Sequence, residues 1–228
     1  MQPNKPSCND WQLYVILDRA AAHGCDLADI AQAAIAGGAD VLQLRDKTAD
    51  AASLIHQARA LLGITRRSHV PLIINDHPEV ALAVDAGGVH LGQDDLSIAA
   101  ARRLLGPKKL IGRSTHSLAQ ALEAERQGAD YLGVGPVFAT PTKPAYAPVG
   151  LPLVTQAAAR LQTPWVAIGG IDASNAGRVV QAGARCLAVV RAVMAADDPR
   201  VAAHQLKEVV STAVKNGTGS IFLASQHR

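Results

Sequence analysis

The sequence predicts one α/β domain built as a closed (β/α)8 barrel, and three observations lead there. Short apolar runs alternate strictly with longer Ala-rich segments of helical period, eight of each. The runs are apolar on both faces, as parallel strands buried between helices should be. A short turn recurs between helix and strand, as AGGAD at 36–40, DAGG at 85–88, QGAD at 127–130 and AGAR at 182–185. Glycine suits the left-handed residue that ends a helix. Eight βα units in roughly 210 residues close more naturally than they lie flat as an open doubly wound sheet, and they fall near the small end of the TIM-barrel range.

The elements follow in order. Leu13–Leu17 and Leu27–Ala36 form the first unit, which closes on AGGAD. Val41–Leu44 leads to Ala51–Thr65, and Pro71–Ile74 to Pro78–Ala86, which runs into DAGG. Gly88–Leu91 with Ser97–Leu105 makes the fourth unit; Leu110–Gly112 with Leu118–Gln127, ending in QGAD, makes the fifth. Tyr131–Val134 and Leu151–Leu161 are separated by a long loop from Gly135 to Gly150, expected to act as a lid. Trp165–Ile168 with Ala173–Ala182, then Cys186–Val190 with Arg200–Val214, complete the ring. No domain boundary interrupts this order, so residues 1–228 read as a single TIM-barrel domain with the barrel at about 13–214. From Asn216 to Arg228 the periodicity is lost, which reads as a peripheral tail.

Composition narrows the function classes. Hydrophobic residues are 49% against 18% charged, enough for a sizeable core and too apolar for disorder. No run approaches the roughly 18 apolar residues of a transmembrane helix. The first ten residues, MQPNKPSCND, lack the apolar stretch of a signal peptide, so the expectation is a cytoplasmic chain with no membrane partner. Lys plus Arg exceeds Asp plus Glu by 22 − 19 = 3, too little for a nucleic-acid footprint. Two Trp, three Tyr and two Phe also offer few platforms for stacking bases. Cys8, Cys25 and Cys186 are widely spaced and read as ordinary reduced thiols. Basic residues therefore count locally, in a small anionic site.

In such a barrel the chemistry sits at the C-terminal strand ends. Gln43, Arg45, Asp46 and Lys47 follow strand 2; Asn75 and Asp76 follow strand 3; Gln93, Asp94 and Asp95 follow strand 4. Strand 5 ends in Arg113, Ser114, Thr115 and His116, loop 6 carries Thr140, Thr142 and Lys143, strand 7 ends in Gly169 and Gly170, and strand 8 in Val190 and Arg191. The glycine pair and the end of strand 8 occupy the place where these barrels bind a phosphate on backbone N–H groups, although the glycines alone could simply make a tight turn. Arg45, Lys47 and Lys143 form a second cationic set on the same mouth. Asp76 and Asp95 end neighbouring strands and suit Mg²⁺, which takes one or two carboxylates together with substrate phosphate oxygens. Both could instead cap helices, and spacing does not separate Asp94 from Asp95. His90, alternating inside an apolar strand, reads as a hydrogen-bonded core histidine. His116 reads as an acid or base or as a tie for loop 5, and Asp18 has no evident partner. No nucleophile elbow, Walker loop or HExxH is present.

QLRDK at 43–47, IINDHPEVALAVDAGGVHLGQDD at 73–95, IGRSTHS at 111–117, DYLGVGPVFATPTKP at 130–144 and VAIGGI at 166–171 resemble the thiamine-phosphate synthase (thiamine-phosphate pyrophosphorylase) family, collinearly from about Tyr14 to Pro199. The resemblance implies a transferase that joins a pyrimidine methyl diphosphate to a thiazole ethyl phosphate, or its carboxylated form. Thiamine phosphate and diphosphate are the products, and Mg²⁺ the cofactor. Gln43, Arg45, Lys47, Asn75, Ser114 and Lys143 would then hold the pyrimidine substrate, with Lys143, Arg45, Lys47 and Ser114 as the catalytic set. Asp76 and Asp95 would carry the metal, and this likeness selects Asp95 over Asp94. Thr140, Thr142, Gly170, Val190 and Arg191 would receive the thiazole phosphate.

The implied chemistry is dissociative: diphosphate leaves, and the thiazole nitrogen captures a pyrimidine-stabilised cation, so no protein nucleophile or base is required. The protein must stabilise leaving charge, align two substrates and exclude water. One departure is VRAV at 190–193, where the family often has Ser in place of Arg191. Rival readings are a thiazole tautomerase working through His116, a non-catalytic phosphate-metabolite-binding barrel, and a Schiff-base aldolase on Lys47 or Lys143. The expected partners are small-molecule phosphates, with oligomeric state, a homo-oligomer included, left open.

Overall fold

The computed structural model describes residues 5–141 and 147–216. Eight parallel strands close into a barrel in chain order: β1 (Leu13–Asp18), β2 (Val41–Arg45), β3 (Leu72–Asn75), β4 (Gly88–Leu91), β5 (Leu110–Thr115), β6 (Tyr131–Val134), β7 (Trp165–Ile168) and β8 (Leu187–Val189). Outside them lie α1 (Leu27–Ala36), α2 (Ala51–Arg67), α3 (Pro78–Ala83), α4 (Ile98–Leu105), α5 (Leu118–Arg126), α6 (Gly150–Arg160), α7 (Ala176–Gln181), α8 (Arg191–Met194) and α9 (Pro199–Lys215). Asp26, Asp50, Ser97, Ser117 and Asp198 cap five of these helices by accepting a backbone N–H of the first turn, each worth about 1 kcal/mol.

Strand β5 is longer than its apolar pattern suggests. Gly112, Arg113, Ser114 and Thr115 pair with Tyr131, Leu132, Gly133 and Val134, so the polar stretch continues the strand instead of opening a loop. Helix α7 starts three residues later than its alanine pattern suggests, because Asp172–Asn175 folds into a turn in which Asn175 Oδ1 accepts the Asp172 N–H at 3.1 Å. The single-turn helix α8 was not expected from the periodicity.

The repeated turn has a physical basis. Gly38, Gly128 and Gly183 take φ of 101°, 81° and 110°, while in DAGG the left-handed residue is Asp85, at φ 56°, and not a glycine. The aspartates that close AGGAD and QGAD clamp the barrel floor. Asp40 accepts the Gln12 and Leu13 N–H groups at 2.8 Å each and pairs with Lys207 of α9. Asp130 accepts the Ile111 N–H at 2.7 Å and pairs with Arg102 and Lys5.

Side chains alternate across the strands. Leu42, Leu44, Ile74, Val89 and Leu91 face outward and join the main core under the helices. Tyr14, Ile16, Val41, Ile73, Leu110, Tyr131 and Val166 fill the barrel interior, with Trp11 packed edge-on against both tyrosines from below. The inward period-2 positions nearest the C-terminal end then become polar: Gln43, His90 and Ser114 are all buried. Among the described residues no helix is long and apolar enough to cross a membrane. Burial drives the Cys186 thiol pKa well up, and burial together with Asp130 pushes Cys8 up to about 11, so both stay protonated and unreactive.

Candidate functional site

A cavity of about 450 Å³ opens at the C-terminal mouth of the barrel. Gln43, Arg45, Asn75 and Ser114 line it from β2, β3 and β5, and Thr140, Gly170, Val190 and Arg191 from the segments after β6, β7 and β8. Eight residues singled out in the sequence thus face one space. Lys47, Asp76 and Asp95 are not among its lining residues, although Asp76 directly follows Asn75, which is; Thr142 and Lys143 lie outside the described residues.

Strand register builds the cationic corner. Asp18 and Arg45 are paired neighbours at the ends of β1 and β2, and their side chains form an ion pair, 3% and 12% exposed. Asp18 therefore does have a partner. Its other oxygen accepts the Ala20 N–H at 3.0 Å, so the carboxylate is held from two sides. Arg45 Nε is buried with no hydrogen-bond partner among the described residues. Arg45 also lines the cavity, where a guanidinium is suited to an anionic ligand.

The two aspartates are not helix caps. Helix α3 begins after His77 with no side-chain cap, and Ser97 caps α4. Asp95 instead accepts the Gly92 N–H at 2.7 Å, whereas Asp94 is exposed. Asp76 sits in the left-handed region at φ 63°, a conformation that Asp tolerates better than most residues, and its N–H donates to the His90 carbonyl at 2.8 Å. Its carboxylate pairs with Lys47.

Asp76 and Asp95 are in hydrogen-bond contact. Burial and the adjacent Asp95 raise the Asp76 pKa. Partial burial opposes but does not prevent a lowered pKa at Asp95, which Asp76, the Gly92 N–H, Lys47 and Arg113 together hold down. Two adjacent carboxylates whose titrations are pushed apart are a donor set that a divalent cation would suit. Among the described residues no group of three or more His, Cys, Asp or Glu is placed to hold a metal.

Val137 and Phe138 donate to the carbonyls of Ile168 and Gly169 at 2.8 and 3.0 Å, tying the start of loop 6 to β7. Gly170, at φ 62°, passes so close that an added Cβ would lie 2.6 Å from the Ala139 carbonyl oxygen. The glycine pair is thus needed for the turn, and it also lines the cavity. Helix α8 opens there with the Arg191 side chain exposed. His116 Nδ1 lies 2.5 Å from the Gly135 carbonyl, and its N–H donates to Gln120, so this residue ties β5 to loop 6. His90 is a hydrogen-bonded core histidine, as expected, contacting Tyr131 and Ser114. Sequence reasoning passed over Tyr14 and Tyr131, the buried tyrosines that complete this interior; inward-facing phenols in apolar strands were the available signal.

Comparison with known proteins bears on this arrangement. A family model described as thiamine monophosphate synthase matches residues 13–193. The chain belongs to the thiamine monophosphate synthase family. Within that family it is 53% identical to the thiamine-phosphate synthase of Chloroflexus aurantiacus over 89% of this chain and 94% of the relative. It is 47% identical to that of Roseiflexus castenholzii over 87% and 88%. The solved thiamine phosphate pyrophosphorylase from Pyrococcus furiosus superposes with a TM-score of 0.84 at 37% identity, covering 91% of this chain and 98% of that one. These relatives are transferases, and as a member of the thiamine monophosphate synthase family the chain is an enzyme of that class.

Proposed function

We infer that this enzyme condenses a pyrimidine methyl diphosphate with a thiazole ethyl phosphate, carboxylated or not, to give thiamine phosphate and diphosphate with the help of Mg²⁺. The observation that supports the reading is a cavity lined by Arg45 and Asn75, with Asp76, the residue after Asn75, in contact with both Lys47 and Asp95. Basic side chains together with a carboxylate pair suit a metal-bound diphosphate.

Gln43, Asn75 and Ser114 hold the pyrimidine, and Arg45, Lys47 and Lys143 receive the diphosphate as its negative charge grows. Asp76 and Asp95 would hold Mg²⁺, whose charge, when bound, neutralises the leaving group. Departure of diphosphate leaves a pyrimidine-stabilised cation, and the thiazole nitrogen closes the new C–N bond with its own lone pair. The backbone at Gly170, Val190 and Arg191, with Thr140 and Thr142, positions the thiazole phosphate. Apolar wall residues such as Ile168 and Val166 keep water from the cation. A tautomerase working through His116 has less support, because it would need neither the Asn75-Asp76 pair and Asp95 nor the Thr140, Thr142 and Lys143 of loop 6.

The deciding experiment supplies purified protein with both heterocyclic phosphates, with and without Mg²⁺, and follows thiamine phosphate by its oxidised fluorescence. Mg²⁺-dependent product is expected; none from folded protein would sink the reading and turn attention to His116. Asp76→Asn is expected to raise the Mg²⁺ concentration needed for half-maximal rate about tenfold or more, since one of two anionic ligands is lost. An unchanged Mg²⁺ profile would remove Asp76 from the metal site. Lys143→Ala is expected to lower kcat at least about 100-fold, the scale for losing one donor to a developing charge; near-normal turnover would exclude that role.

A further inference from the structure

Five side chains inside the barrel form one hydrogen-bonded chain with both ends at the cavity. Gln43 Nε2 donates to the Tyr14 hydroxyl at 2.6 Å, and the Tyr14 and Tyr131 hydroxyls are 3.0 Å apart. The Tyr131 hydroxyl lies 3.0 Å from His90 Nδ1, and His90 Nε2 lies 2.9 Å from Ser114 Oγ. The members come from β2, β1, β6, β4 and β5, and the two ends, Gln43 and Ser114, both line the cavity. Gly112 makes room for the middle: a Cβ there would fall 2.2 Å from the Tyr131 ring.

The Gln43 amide, set with Nε2 toward Tyr14, gives the chain a direction. Burial drives both phenols well above their usual pKa, so each keeps its single proton. The Tyr14 oxygen takes the Gln43 amide hydrogen, and its own proton has one acceptor among its partners, the Tyr131 oxygen. The Tyr131 proton then goes to His90 Nδ1. A neutral imidazole accepting at Nδ1 carries its hydrogen on Nε2 and donates it to Ser114 Oγ. Gln43 is left to offer its carbonyl Oε1 to the cavity, and Ser114 its hydroxyl proton. Reversing one link would reverse them all and turn the Gln43 amide over, because an unpaired buried polar group is costly.

We propose that Tyr14, Tyr131 and His90 are positioning residues that couple Gln43 to Ser114, so that the cavity presents an acceptor on one side and a donor on the other and selects an amino-substituted heteroaromatic ring. The amine of that ring donates to Gln43 Oε1. A ring bearing a carbonyl there would meet a second acceptor and be rejected. The ligand rests on the functional reading given above; the polarity of the chain belongs to the protein alone and is tested separately.

The first test is nitrogen-15 NMR of the ligand-free protein, with the His90 signals assigned by their loss in His90→Asn. Hydrogen on Nε2 and a bare, accepting Nδ1 are expected, with the Nδ1 signal moving in Tyr131→Phe. Hydrogen found on Nδ1 would overturn the proposal whatever the enzyme's substrate. The second test compares the amino pyrimidine diphosphate with its oxo counterpart in wild type and Tyr14→Phe. Freed from Tyr14, the Gln43 amide can turn, so the amino-to-oxo ratio of kcat/KM should fall at least about tenfold, mainly through KM. Equal losses on both substrates would reduce Tyr14 to a packing residue and overturn the coupling. A wild-type enzyme that turns over neither substrate would count against the functional reading, and the NMR result would still decide the chain's direction.

Discussion

Asp18→Ala is expected to lower stability by about 3 kcal/mol, the low end for breaking one side of a buried ion pair. In a chain of this length that is a melting temperature lower by roughly 6–12 °C. The cause is specific. Asp18 and Arg45 are almost wholly enclosed at adjacent strand ends, and removing the carboxylate strands a buried guanidinium whose Nε already lacks a partner among the described residues. Inorganic diphosphate should restore part of the loss by supplying the missing negative charge, so the thermal shift it produces should be larger in Asp18→Ala than in wild type. On the proposed function, Arg45→Ala should cut kcat at least about 100-fold, the scale for losing one donor to a leaving group's developing charge. Differential scanning calorimetry with and without diphosphate, alongside steady-state rates, checks both. A wild-type melting temperature in Asp18→Ala would mean that the pair contributes nothing.

Gly112→Ala is expected to destabilise the barrel by about 2–3 kcal/mol, as overpacking of a filled interior does. One methyl group there would lie 2.2 Å from Tyr131 Cζ and 2.5 Å from His90 Nδ1. Neither ring has space to retreat: Tyr131 is fully buried, wedged against Trp11, and His90 is bonded at both nitrogens. Urea unfolding monitored by near-ultraviolet circular dichroism reports both the stability and the tyrosine environment. Gly63→Ala provides the contrast. Gly63 lies inside α2 with nothing within 4 Å of an added Cβ, so that change should be neutral or stabilise by up to about 1 kcal/mol. Similar destabilisation in both variants would show that the close approach at Gly112 does not matter.

How far the sequence could be read depended on the range of the interaction. The strands and helices were legible because periodicity and the recurrent turn are local, and Gly38, Gly128 and Gly183 take the left-handed conformation that the repeat implied. The cavity wall was legible too: Gln43, Asn75 and Ser114 stand at or near strand ends, and the barrel rule places strand ends on one mouth. Asp95 was separated from Asp94 only by likeness to a family. The structure supplies the physical reason, since Asp95 turns back on Gly92 and meets Asp76 while Asp94 faces solvent.

By itself the sequence determined the alternation of elements, the closed eight-fold order and the set of polar groups at the C-terminal mouth. These follow from patterns within about one βα unit, where chain connectivity keeps the partners close. Only the tertiary structure decided which groups pair. Asp18 meets Arg45 because β1 and β2 lie in one register, and Gln43 is joined to Ser114 through Tyr14, Tyr131 and His90 because five strands converge on one axis. Contacts between residues 24 to 117 positions apart depend on strand stagger and on the space a glycine leaves, and neither quantity is written in any local stretch of the chain.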